Sequence, residues 1–213
     1  MKSFRIILVL FVINFCVAEP NEPEIAEQVY KKLFKLQRAE QLEAIKSFQK
    51  ISNYEKQYSM IMLMAEKVFT VVQDSRATIE ASPYIPGVSD FPLDDRIKDA
   101  LSNILENIAL FSDIILRFPD ISVSVLKTNN NWDVLLQWGI AFCNQVRYLL
   151  DDSTIKALSL ASQELNHVER GANYVNPYRK QGPQNVNDVP LSKNKMKKKE
   201  IKKGPRLSSH SEL

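Results

Sequence analysis

Apolar positions along this chain fall at intervals of three and four for most of its length, the spacing of one face of an α-helix. From Glu24 to Ser52 the stripe is Ile25, Val29, Leu33, Leu36, Leu42, Ile45 and Phe48, with Lys31, Lys32, Lys35, Arg38, Glu43 and Lys46 on the other face. Tyr54 to Ala81 repeats the pattern through Tyr58, Ile61, Met62, Ala65, Val68, Phe69 and Val72. Between them, Ser52-Asn53 allows either a break or a kink in one long helix. Ser82 to Pro92 holds three prolines and Gly87 and reads as a loop.

A third helix is expected from about Leu93 to Phe118, its first turn carrying Asp94 and Asp95, which suit the positive end of the helix dipole. Its stripe is Ile97, Leu101, Ile104, Leu105, Ile108, Phe111 and Ile115, and Pro119 stops it at Phe118. A short amphipathic piece, Ile121 to Leu126, precedes Asn129-Asn130-Asn131, a run of good N-caps. Trp132 to Leu150 is apolar around most of its circumference, which predicts a central helix. Gly139 inside it costs about 1 kcal/mol relative to Ala and therefore implies close packing. The core candidates are Phe118, Trp132, Trp138, Gly139, Phe142 and Cys143. Ser153 is expected to cap a last helix running to about Leu165.

No strand pair with hairpin chemistry occurs, so the expected fold class is all-α: a compact bundle of about five or six helices. Beyond Gly171 the composition turns polar, with Gly and Pro at intervals, the signature of disorder. The expected organisation is a signal peptide over 1–18, a helical domain over 19–175 and a Lys-rich tail over 176–213. Residues 19–175 hold sixteen basic and twenty-two acidic side chains, while 176–213 hold ten and three.

The two ends address localisation. Lys2 and Arg5 precede an apolar run from Ile6 to Val17, and Cys16-Val17-Ala18 offers the small residues that a signal peptidase reads, which predicts cleavage between Ala18 and Glu19. That run is well short of the roughly 20 residues a spanning helix needs, so stable membrane insertion is not expected. The ending His210-Ser211-Glu212-Leu213 is similar to the tetrapeptides read by the lumenal retrieval receptor, with Ser211 where the standard signal has Asp. Losing that carboxylate weakens the signal, so the expected location is the endoplasmic reticulum lumen with partial secretion.

Candidate chemistry is sparse. With Cys16 removed, only Cys143 remains, and one thiol makes no internal disulfide. His167 and His210 are the only histidines. His167, near a helix end, reads as a solvated capping residue, and neither a clustered metal set nor a Gly-rich phosphate loop is present. No enzymatic activity and no cofactor are expected. The Lys-rich run Lys197 to Lys203 has three readings: a spacer presenting the terminal tetrapeptide, a surface for acidic partners, or a nuclear or nucleic-acid patch. A signal peptide argues against the last, so no nucleic acid is expected among the partners.

Several segments carry a resemblance when taken together. They are Tyr30-Lys31-Lys32-Leu33-Phe34 with Arg38 and Glu40-Gln41-Leu42; Asp74-Ser75-Arg76; Leu116-Arg117-Phe118-Pro119; Asn131-Trp132; Trp138-Gly139; and Phe142-Cys143-Asn144-Gln145. Gln163-Glu164-Leu165, Asn176-Pro177 and the basic ending through Lys203-Gly204-Pro205-Arg206 continue the series. In this order the chain resembles the coiled-coil domain-containing protein 134 family. The resemblance implies a lumenal, non-enzymatic adapter that binds nascent endoplasmin, the lumenal Hsp90, at the translocon and oligosaccharyltransferase and prevents its hyperglycosylation. It also implies an alternative, a secreted cytokine-like helical protein that dampens MAP-kinase signalling, and a third role as a nuclear regulator. Val146 removes any glycosylation sequon at Asn144, so glycan-dependent behaviour does not carry over.

Overall fold

The computed structural model describes residues 21–179. Within them are six α-helices, one 3₁₀ turn and no strand: α1 Glu22–Phe48, α2 Tyr54–Glu80, α3 Asp95–Arg117, α4 Pro119–Leu126, α5 Asn130–Gln145, the turn Arg147–Leu149, and α6 Asp152–Glu164. The all-α reading therefore holds.

Local chemistry sets most of the boundaries. Asn21 caps α1 in a reciprocal box with Glu24, and Pro23 sits in the first turn, where its missing N–H has no intrahelical partner to lose. Asn53 accepts from the Lys56 N–H, so the chain breaks there and α1 and α2 are separate helices. Asp94 caps α3 by accepting from the Ile97 N–H. Phe118 leaves helical geometry (φ −133°, ψ 55°), and Pro119 opens α4 directly behind it. Asn129 is the member of the asparagine run that caps α5.

Two boundaries differ from the sequence reading. Helix α5 ends at Gln145 instead of continuing to Leu150, and a 3₁₀ turn follows. Gly87, at φ +78°, lies against this end, where a Cβ would come 2.6 Å from the Gln145 carbonyl oxygen. Glycine alone suits both the left-handed backbone and that approach. At α6 the cap is Asp151 and not Ser153: Asp151 accepts from the Thr154 N–H at 3.2 Å, and the Ser153 hydroxyl donates to the same carboxylate.

The central helix is α3, not α5. It touches each of the other five helices. Leu101, Ile104, Leu105, Ile108, Ala109, Phe111, Ile114 and Ile115 are all fully buried and cover most of its circumference. Helix α5 instead buries one face, and the expected core residues divide accordingly. Gly139, Phe142 and Cys143 are buried, while Trp132 and Trp138 lie at the rim, half-buried. Trp132 stacks on Phe69 at 5.5 Å; Trp138 packs on Phe142 at 5.2 Å and under the Arg76 guanidinium at 4.7 Å. An indole at the rim keeps its polar edge near water while burying its rings. Phe118 is buried against Phe48 at 4.9 Å.

The docked chain extends to Arg179, four residues beyond the boundary read from composition. Buried Asn176 donates to the Leu116 carbonyl (2.8 Å) and to Glu164 (3.1 Å), Tyr174 donates to Glu164, and Arg179 reaches the same carboxylate at 3.4 Å. Arg117 lies under the Tyr178 ring at 3.9 Å. A buried polar group needs such partners, and Glu164 thereby fastens the segment after α6 onto the bundle.

Candidate interaction surface

Helix α1 has two apolar faces, and the structure buries the less obvious one. Tyr30, Phe34, Arg38, Ile45 and Phe48 face the interior. Tyr30 meets Phe34 and Phe91, with ring centroids 6.0 and 5.3 Å away. Arg38 enters the core as a charged member of this face. It pairs with Asp113 of α3, gives its Nε hydrogen to the Thr154 hydroxyl at 3.3 Å and its Nη1 hydrogen to Gln41 at 2.5 Å. Arg117 holds the other oxygen of Asp113 at 2.6 Å. Thr154 donates in turn to Asp151 at 2.6 Å. Burial opposes ionisation of Asp151, but hydrogen bonds from Ser153, Thr154 and the backbone hold its carboxyl below the usual range. This network joins α1, α3 and α6 through groups bonded to one another, which is what lets a core tolerate charge, with the Arg117 Nε left without a partner among the described residues.

The face expected to be core in the first half of α1 lies outside. Ile25, Val29, Leu33 and Leu36 are between 49 and 63% exposed. Helix α1 packs on α3 and on the 3₁₀ turn, and no described element covers its outer side. At 1.5 Å per residue the ridge is about 17 Å long. Lys32 and Lys35 lie along one flank, both exposed and in no ion pair among the described residues. Glu22 stands beyond one end; Glu40 and Glu43 stand beyond the other. Lys31 is committed to Glu27 at 2.5 Å and lies over Tyr148. Glu43 is bonded to Lys46 at 2.6 Å, which holds its carboxyl below the usual range.

Two of the concavities hold little chemistry. One of about 360 Å³ lies between α2 and α5, and its Arg76 is already paired with Glu80 at 2.7 Å and stacked on Trp138. A second, of about 240 Å³, contains His167, whose Nε2 meets Asp133 at 2.8 Å. His167 is therefore a half-sheltered link from the turn after α6 to α5, not a solvated cap, and no hydroxyl or thiol lines its cavity. Cys143 is fully buried and unpaired, and burial pushes its thiol up. No group of three or more metal-ligating side chains occurs among the described residues. The cleavage pair Ala18 and Glu19 and the terminal His210, Ser211, Glu212 and Leu213 lie outside those residues, as does the Lys-rich run.

Comparison with known proteins decides the family. The family model described as "ERK and JNK pathways, inhibitor" matches residues 17–208. Coiled-coil domain-containing protein 134 of Xenopus tropicalis is 34% identical, covering 100% of this chain and 98% of its own. This chain belongs to that family. The Mus musculus protein of the same name is 35% identical, over 87% of this chain and 86% of its own. No solved structure matches. The matches run from the amino-terminal region into the basic tail, so they span α1 and its outer ridge together with the bundle.

Proposed function

We propose that this family member is a non-enzymatic adapter of the endoplasmic reticulum lumen that binds nascent endoplasmin at the translocon and oligosaccharyltransferase and limits its N-glycosylation. The observation that carries a binding role is the uncovered apolar ridge of α1. Apolar side chains exposed in a row along one helix cost solubility unless something covers them. The resemblance supplies the partner, and the amino-terminal apolar run and the His210 to Leu213 ending supply the compartment. The adapter works by occupancy, so its effect scales with its amount and not with turnover.

The test is endoplasmin itself. In cells depleted of the protein, endoplasmin should migrate more slowly until its glycans are enzymatically removed, and stoichiometric re-expression of wild type or His167→Ala should restore it. Identical migration with and without the protein ends the adapter reading. A second reading rests on the family model's description: a secreted helical protein that dampens ERK and JNK signalling. Purified protein added to the medium would then lower phosphorylated ERK and JNK in cells whose endoplasmin is unaffected.

A further inference from the structure

We infer that the α1 ridge receives a single amphipathic helix of another protein, one with a carboxylate beside the middle of its apolar stripe and basic side chains at both ends. This rests on the binding role proposed above and names the chemistry of its occupant.

The ridge has the form of half a helix pair. Ile25, Val29 and Leu33 stand four residues apart, forming one of the rows that interdigitate when two helices cross, and Leu36 completes a third turn beside them. Their exposure means that a partner can bury them without any rearrangement of the bundle.

Charge selects among occupants. A second copy would meet its own charges. Packed parallel and in register, Lys32 would lie on Lys32 and Glu43 on Glu43. Packed antiparallel, the overlap that sets Ile25 on Leu36 and Val29 on Leu33 also sets Glu22 beside Glu40. Like charges placed directly opposite across a helix pair act against that pairing. A lipid surface fits no better, because the acidic ends Glu22, Glu40 and Glu43 would meet the headgroups together with Lys32 and Lys35. A helix of opposite pattern fits the charges that are left over: a carboxylate for Lys32 and Lys35, which pair with no described residue, and cations for Glu22 and Glu40 at the two ends. Three turns of contact make a small interface, suited to transient engagement.

Two fluorescein-labelled synthetic helical peptides test this. Both carry the same apolar stripe; one has Glu beside its middle and Lys at both ends, and the other has these signs exchanged. By fluorescence anisotropy, wild-type protein should bind the matched peptide at least about tenfold more tightly than the exchanged one, and added salt should narrow the difference. Leu33→Asp should abolish binding with unchanged circular dichroism and thermal midpoint, because the side chain is exposed. Lys32→Glu with Lys35→Glu should reverse the preference while leaving the fold intact. Equal binding of the two peptides, or binding of neither, overturns the inference. So does sedimentation showing a wild-type dimer that Leu33→Asp makes monomeric, or co-sedimentation of wild type with phosphatidylcholine–phosphatidylserine vesicles that Leu33→Asp abolishes. Endoplasmin migration is a separate readout, so failure of the helix partner and failure of the adapter reading are distinguishable.

Discussion

Gly139 shows how one missing methyl group positions a helix. It lets α5 lie against α3 so closely that a Cβ would fall 2.3 Å from Cδ1 and 2.6 Å from Cγ1 of Ile108, a fully buried side chain. Gly139→Ala gains about 1 kcal/mol of helix propensity, but the added carbon has no room unless Ile108 or the whole of α5 moves. Overpacking of this kind costs about 1–3 kcal/mol, so the variant is expected to be less stable by urea titration in spite of its better helix former. Ile108→Val removes the nearest carbon. Its own cost should shrink in the Gly139→Ala background, leaving the double variant more stable than the sum of the single losses by at least about 0.5 kcal/mol, a coupling expected of neighbours. Strict additivity would show that the contact does not set the spacing. Close packing at Gly139 was legible from the sequence, since a glycine in the middle of an apolar helix needs a reason. That the neighbour is Ile108 was not, because spacing along one helix carries no register against another.

At the scale of elements, α1 is where the reading of the sequence and the fold part. The stripe Ile25-Val29-Leu33-Leu36 is the more apolar of two faces, and hydrophobicity alone assigns it to the core. The buried face is Tyr30-Phe34-Arg38-Ile45-Phe48, offset from the first and interrupted by a charge. An arginine in such a row looks like surface until its partner is known, and Asp113 is 75 positions away. In the second half of α1, Ile45 and Phe48 of the expected stripe belong to the buried row, while Leu42 is only half-buried. The same α1–α3 seam contains Glu106, half-buried on α3, whose carboxyl is pushed up by burial, with Arg38 pulling the other way. A carboxyl raised in the folded state favours folding while protonated. Its ionisation penalty is absent below the unfolded value, about pH 4, and is complete once pH has risen through the folded value. Glu106→Gln should therefore raise the thermal midpoint at pH 7.5 and leave it nearly unchanged at pH 3.5. An equal gain at both values would mean that shape, not charge, is responsible.

For the molecule as a whole, the bundle was largely legible: the helices follow from periodicity, Pro119 marks the break after α3 and the asparagine run marks the α5 cap, while the caps at Asn21, Asn53, Asp94 and Asp151 became apparent only in the structure. The identity of the central helix did not follow, because α3 and α5 are both richly apolar and only packing shows which is surrounded. The docking of Asn176 to Arg179 was hidden by a polar composition, since it is held by hydrogen bonds and ion pairs to Glu164 and Asp120 and by the Tyr178 ring on Arg117, not by apolar burial. On the lumenal reading proposed above, His210-Ser211-Glu212-Leu213 is a receptor-read address in which Ser211 replaces a carboxylate, and the missing charge lowers receptor occupancy without removing it. Deleting Ser211, Glu212 and Leu213 should move the protein from cell lysate to medium, while Ser211→Asp should move the partition inward. Neither change alters a residue of the clasp or the bundle, so purified variants should share the wild-type thermal midpoint, which separates altered sorting from altered folding. If both variants partition between lysate and medium as wild type does, the tetrapeptide is not read. The secreted reading would then gain, with the ERK and JNK readout in recipient cells as its test.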